Sequence, residues 1–220
     1  AWKEIVVRIL FVEIAPADQR DARMAAGLGY IAAYVRQGVS QAEIQIIKGD
    51  PAWVERKVRE YQPDVVGLST VSQYYRMAVE AADVCRRLGA FVVIGGHHVS
   101  VLPGSMTSSM DLGVIGEGED TMLDLCRTFL DKGPDRAAFA TIPGIAVLDG
   151  PGRAVMDEPR PLHEPLDDFP FPARDLMHIR QGESVGMITS RGCPYRCVFC
   201  ASSAFWKGVR FHSAEYVVAE

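Results

Sequence analysis

Five short runs of β-branched and aromatic residues, each followed by apolar residues at helical spacing, restrict this chain more than any other feature of its sequence. The runs are Ile5 to Val12, Ile44 to Ile47, Asp64 to Ser69, Phe91 to Ile94 and Leu112 to Ile115. The spacing predicts helices over Met24 to Val35, ended near Gly38, over Pro51 to Tyr61, over Tyr75 to Leu88 and, briefly, near Ser100. A further helix over Thr121 to Leu130 covers the fifth strand. Ile5 to Val12 reads as a strand buried on both faces. Strands that alternate with helices return to the same edge of a sheet, so the expected fold class is α/β: a doubly wound, parallel, five-stranded sheet with helices on both faces. With 220 residues and 48% hydrophobic content, the chain has material for one sizeable core or two modest ones.

The rhythm changes after Lys132. Ile145 to Leu148 and Arg153 to Met156 flank Asp149-Gly150-Pro151-Gly152 and predict a small β-hairpin appended to the sheet. Pro159, Pro161, Pro165, Pro170 and Pro172 then favour an extended connector, because proline fixes φ and removes an amide donor. The expected organisation is residues 1–135 as the sheet domain, 136–183 as hairpin and Pro-rich linker, and 184–220 as the start of a second domain. In that last part Val185 to Thr189 predicts a strand and Ala214 to Glu220 the opening of a helix. A βα unit takes roughly 30 residues, so the chain is expected to be a truncated piece of the second domain, inactive alone.

Charge and cysteine usage exclude several classes. A net charge of −5, with 23 Lys+Arg mixed among 28 Asp+Glu, offers no basic stripe, so nucleic acid is not an expected partner. No apolar run reaches the roughly 18 residues that span a bilayer, and the N-terminus lacks a signal-peptide pattern, so a cytosolic protein is expected. Of five cysteines, three crowd into eight residues, which suits a metal site in a reducing compartment better than a disulfide framework. Cys85 and Cys126 fall in helical patterns and are expected in the core.

The crowded three lie in Ser190-Arg191-Gly192-Cys193-Pro194-Tyr195-Arg196-Cys197-Val198-Phe199-Cys200, with the spacing C-x3-C-x2-C directly after a predicted strand. Soft thiolates on one short loop suit an iron-sulfur cluster or zinc, the latter with His212 as a fourth ligand. The segment resembles the signature of the radical S-adenosylmethionine (SAM) superfamily. Phe199 matches the family's aromatic residue before the third cysteine, and Val209 to Glu220 is similar to the first helix region of many members. The resemblance implies that Cys193, Cys197 and Cys200 ligate a [4Fe-4S] cluster, leaving one iron open to SAM, and that backbone near Phe199 contacts the SAM adenine. It also implies that residues 184–220 begin a partial (β/α)6 barrel.

In a doubly wound sheet ligands bind beyond the carboxyl ends of the strands. There the sequence places Ser69, Thr70, Ser72 and Gln73, then Gly95, Gly96, His97, His98 and Ser100, then Gly116, Glu117, Gly118 and Glu119. Glycines allow close backbone approach to a large ligand, and hydroxyl groups can hydrogen-bond it. The Gly-Gly-x-His and Gly-Glu-Gly-Glu elements, with Leu28 to Tyr34, resemble the Rossmann-like cobalamin (B12)-binding domain that precedes many radical SAM cores. The resemblance covers about residues 5–132 and implies corrinoid contacts from Ser69, Thr70, Ser72, Gln73, Gly95, Gly96, His98, Gly116, Glu117 and Gly118. One departure stands out: the Asp-x-His-x-x-Gly motif that supplies a histidine to cobalt is absent. Cobalamin is therefore expected with neither its own base nor a protein histidine on the lower face, and His97 and His98 are expected to shape a loop. Glu117 with Glu119, and Asp167 with Asp168, are alternative acid-base pairs, and Arg191 is a basic residue available to SAM.

Together the resemblances imply a cobalamin-dependent radical SAM enzyme, with methylation of an unactivated carbon or phosphorus the expected reaction. Its partners would be a small-molecule substrate and an electron donor such as flavodoxin or ferredoxin. Two alternatives stay open at this point: a cyclising, ring-rearranging or oxidative enzyme in which cobalamin carries no methyl group, and a corrinoid-binding module without SAM cleavage.

Overall fold

The computed structural model describes residues 6–20, 24–179, 182–201, 205–206 and 208–220; Ile5, expected in the first strand, lies outside them. Strands β1 (Val7–Ile14), β2 (Ala42–Gly49), β3 (Val65–Ser69), β4 (Phe91–Gly95) and β5 (Leu112–Val114) pair in parallel in the order β2-β1-β3-β4-β5. Helices α1 (Ala26–Gly38), α2 (Pro51–Tyr61), α3 (Tyr75–Arg87), α4 (His97–Val101) and α5 (Glu119–Lys132) provide the crossovers, as the periodicity predicts.

The reason for the near-continuous apolar strands is visible in β1. Val7, Ile9 and Phe11 pack on one side with α1 and α5, whereas Leu10, Val12 and Ile14 pack on the other with α2 and α3. Alternate side chains point to opposite faces, and both faces are roofed by helices, so each position must be apolar. Gly67 fits this scheme, since a Cβ there would stand 2.7 Å from the Phe11 ring. At α2, Asp50 accepts from Trp53 N at 3.0 Å and Pro51 occupies the first turn, two start signals acting together. Cys85 and Cys126 are buried in the opposite cores, as expected.

Two expectations change. The hairpin is no appendage: after helix α6 (Arg136–Ala140), β6 (Ile145–Leu148) pairs antiparallel with β5, and β7 (Ala154–Met156) with β6, making one seven-stranded sheet. Ile145 and Ala146 are 1% exposed, so the run of apolar residues in β6 marks burial in the main sheet. The Pro-rich connector is extended but lies on the domain. Leu166 and Phe169 pack with Tyr30, Ala173 N donates to Gly29 O at 2.9 Å, and Met177 joins the core beside α1.

Beyond the connector, Val185 to Thr189 is not a strand. The strand β8 is Ser190–Gly192, and it pairs antiparallel with β9 (Val209–Phe211), a region expected to run into the helix. Helix α7 (Ala214–Ala219) follows, capped by Ser213, whose hydroxyl accepts from Tyr216 N at 3.0 Å. Among the described residues, no helix is long and apolar enough to cross a membrane.

Candidate cofactor site

Parallel pairing puts the ends of β1 to β5 on one edge, and the order reverses between β1 and β3, the place where such sheets open a crevice. The expected residues line this edge at the ends of β3, β4 and β5. Thr70 N donates to Gly95 O at 3.3 Å, and Thr70 is buried with its hydroxyl on Val71 O. Gly96 has φ +95, and a Cβ there would stand 2.6 Å from Thr70 O, so only glycine lets the two turns meet. Ser72 Oγ lies 2.9 Å from His98 Nδ1, and the His98 ring stacks on Tyr75 with centroids 3.9 Å apart. Burial holds the His98 pKa below its ordinary value, which favours the neutral ring. Gln73 follows in the same turn, which is a 3-10 helix over Ser72–Tyr74.

Ser100, expected at this edge but outside the corrinoid contacts that the resemblance implies, ties two of the turns together. Its hydroxyl donates to Gly96 O at 2.9 Å and accepts from Gly116 N at 3.0 Å, joining the turns after β4 and β5. Its place four residues after Gly96, one helical turn on, was the available signal. A cavity of about 350 Å³ opens elsewhere on this edge, beyond β2, with Lys48, Trp53, Lys57, Met177 and Val185 in its wall. The expected corrinoid contacts are not among its lining residues.

Glu117 and Glu119 do not face each other as an acid-base pair, and Glu117 does not extend freely from the turn. Arg191 Nη1 donates to Glu117 Oε1 at 3.1 Å and Nη2 to Glu119 Oε1 at 2.6 Å. Arg210 Nη1 donates to Glu117 Oε2 at 3.1 Å, and its Nη2 to Glu117 Oε1. Burial opposes the charge on Arg191, but Glu119 and then Glu117 more than offset it, and its pKa is raised. The guanidinium also lies 4.8 Å over Phe169 and 5.3 Å over Tyr30. Arg191 is thus committed to protein partners.

The connector's carboxylates divide in the same way. Asp167 accepts from Ser213 N at 3.0 Å and lies 3.1 Å from His212 Nδ1, whereas Asp168 lies 3.2 Å from His163 Nε2. They therefore form no carboxylate pair. His163 Nδ1 in turn meets Asp120 at 2.9 Å; burial alone would lower the His163 pKa, but Asp120 and Asp168 raise it.

The cysteine loop leaves β8 at Cys193 and returns at β9. Cys193 and Cys200 are half-buried and Cys197 is exposed, with Cys200 N donating to Cys197 O at 3.0 Å in a tight turn. Tyr195, Val198 and Phe199 are exposed. Three thiols on one outward loop are a donor set suited to an iron-sulfur cluster. The loop does not assemble them here: among the described residues, no three of His, Cys, Asp and Glu are grouped so as to hold a metal ion. His212, the fourth ligand of the zinc alternative, is buried, with Nδ1 3.1 Å from Asp167 and its ring stacked on Tyr216 at 4.0 Å.

Residues 24–126 match the family described as the B12 binding domain. Among curated proteins, an uncharacterized methyltransferase of Pyrococcus horikoshii is 32% identical over 210 residues, covering 88% of this chain and 44% of that protein. An anaerobic magnesium-protoporphyrin IX monomethyl ester cyclase of Rubrivivax gelatinosus is 27% identical, covering 76% of this chain and 32% of its own length. A cobalamin-dependent radical SAM methyltransferase of Streptomyces tokunonensis is 29% identical, covering 63% of this chain and 22% of its own length. The chain spans less than half the length of each of these relatives. Residues 24–126 thus carry a B12-binding domain on a mostly parallel Rossmann-like sheet, and the chain is similar to proteins that include a cobalamin-dependent radical SAM methyltransferase.

Proposed function

We propose that this chain supplies the corrinoid-binding and cluster-binding segments of a cobalamin-dependent radical SAM methyltransferase acting on a small molecule. The observation that carries this reading is a B12-binding domain whose β5 turn is ion-paired to the strand leading into Cys193. Cys193, Cys197 and Cys200 would hold the [4Fe-4S] cluster, and the Phe199 backbone would meet SAM. Ser69, Thr70, Ser72, Gln73, Gly95, Gly96, His98, Gly116 and Gly118 would line the corrinoid crevice. Bound there, the cluster would supply an electron for cleavage of SAM, and cobalamin would supply a methyl carrier.

The chain's own residues prepare the edge. Ser100 fixes two turns in register, and Gly96 removes the side chain that would keep them apart. His98, neutral and with Nδ1 held by Ser72, shapes the turn. Residues 1–135 together with the β6–β7 hairpin form the sheet domain, the Pro-rich connector follows, and residues 184–220 would begin the second domain. Electrons would come from a flavodoxin- or ferredoxin-like donor, and the setting is the cytosol.

Anaerobic reconstitution with iron and sulfide, followed by iron counting, electron paramagnetic resonance and SAM cleavage in an enzyme containing this chain, tests the reading. Cys197→Ala is expected to abolish cluster formation; a variant with a normal cluster and SAM cleavage would overturn it. The cyclase among the relatives favours one second reading, in which cobalamin carries no methyl group. Formation of S-adenosylhomocysteine alongside 5′-deoxyadenosine supports methylation, and its absence during turnover supports the second reading. Corrinoid binding without SAM cleavage would leave a binding module.

A further inference from the structure

The ribbon that closes the cysteine loop carries a conflict at its centre. Arg191 stands directly opposite Arg210 in the β8–β9 register, and like charges in that position destabilise an antiparallel pair. Each strand has three residues, and so short a two-stranded ribbon has little stability of its own to absorb the repulsion. Both guanidinium groups are nevertheless nearly out of water, with side chains 6% and 9% exposed.

A carboxylate from a distant part of the chain resolves the conflict. Glu117, 74 residues before Arg191 and itself 9% exposed, gives Oε1 to both arginines and Oε2 to Arg210. Glu119, 5% exposed, balances the second charge through Arg191. Two cations and two carboxylates cancel, and Glu117 is shared by both strands. At the ribbon's last pair the loop is pinched: a Cβ on Gly192, where φ is +99, would stand 2.0 Å from Gly208 O. Cys193, Cys197 and Cys200 all hang from this base. At its other end Glu117 sits between Gly116 and Gly118, in the turn after β5.

We propose that Glu117 is a positioning residue for the cysteine loop: by neutralising the facing arginines Arg191 and Arg210, it locks the base of the loop onto the strand-end turn of the B12-binding domain. The assignment rests on the reading of that loop as the cluster site and goes beyond it. It moves Glu117 from the corrinoid edge, where the sequence resemblance puts it, to the loop that would carry the iron. A buried charge cluster of this kind is suited to fixing one arrangement rather than to adding stability.

Amide hydrogen exchange on the 220-residue chain, without iron, sulfide or corrinoid, tests the proposal. Glu117→Gln keeps the size and removes the charge. Exchange at the ladder amides Arg191, Arg210 and His212 is expected to become about tenfold faster or more, while β1, β3 and β4 keep their protection. Adding Arg210→Gln removes the cation left without its partner and is expected to restore most of the lost protection, a response that a role of shape alone would not give. Unchanged exchange in the single variant, no recovery in the double variant, or equal loss of protection in β1 and β4 each overturns the proposal. After anaerobic reconstitution, the single variant is expected to hold less iron with a broadened electron paramagnetic resonance signal, and the double variant to recover; full iron and an unchanged signal in the single variant also overturn it. If a wild-type enzyme containing this chain takes up no iron while exchange responds as expected, the cluster reading fails and the place of Glu117 at the loop base stands.

Discussion

The wall formed by β1 to β5 and the ribbon formed by β8 and β9 are held by different forces. In the wall, Ile9, Leu10, Phe11 and Val12 are sealed between helices on both faces. In the ribbon and the connector beneath it, charged groups meet at Arg191, Arg210, Glu117, Glu119, Asp120 and His163. Apolar burial is non-directional and tolerates small shifts. Buried ion pairs reward one geometry and penalise every other, because a displaced partner leaves a charge without solvent. The wall can therefore serve as a scaffold, while the ribbon is a fitted part whose seating depends on single residues.

The difference can be broken from either side. The largest effect is expected in the wall: Phe11→Ala removes a ring 1% exposed and should cost about 3–5 kcal/mol of global stability in urea unfolding, loosening wall and ribbon together. Next, Arg191→Met leaves Glu119 buried without its cation and should cost about 3 kcal/mol. That loss should appear in hydrogen exchange as opening of the ribbon, with β1 and β4 still protected; equal loss in the wall would erase the distinction. The smallest effect sharpens the comparison by pH. The folded pKa of His163 is raised above 6.5 by Asp120 and Asp168, so its contribution is complete below about pH 6.5 and is lost as pH rises through the folded value. The Tm difference between wild type and His163→Gln should be widest near about pH 6 and close at higher pH; a difference that grows with pH would contradict the assigned partners.

The wall was legible because its rules are local. Asp50 and Pro51 announce α2, and the β-branched run of β1 announces a strand roofed on both sides. Pairing at a distance was not legible. Nothing in the spacing of Ile145 to Leu148 says that Ile145 will lie against Val114 and extend the main sheet. Val185 to Thr189 has strand-like residues, yet Val185 and Met187 are exposed, and the strand forms five residues on from Val185, at Ser190, where β9 is available to pair. The site divides the same way. Gly95, Gly96 and Gly116 could be placed from their position after strands, whereas the partners of Glu117, Asp167 and His212 depend on how the connector wraps α1.

The burial of Cys85 and Cys126 gives the chain a built-in chemical contrast. Desolvation pushes both thiols up to about 12, and the nucleophile in alkylation is the thiolate. A mild alkylating reagent applied to the native fold at neutral pH therefore has three candidate targets out of five cysteines, all of them in one loop. Mass spectrometry of the labelled protein becomes a direct count of how many sulfurs that loop leaves open, and protection of those sulfurs after loading with iron is measurable without any substrate.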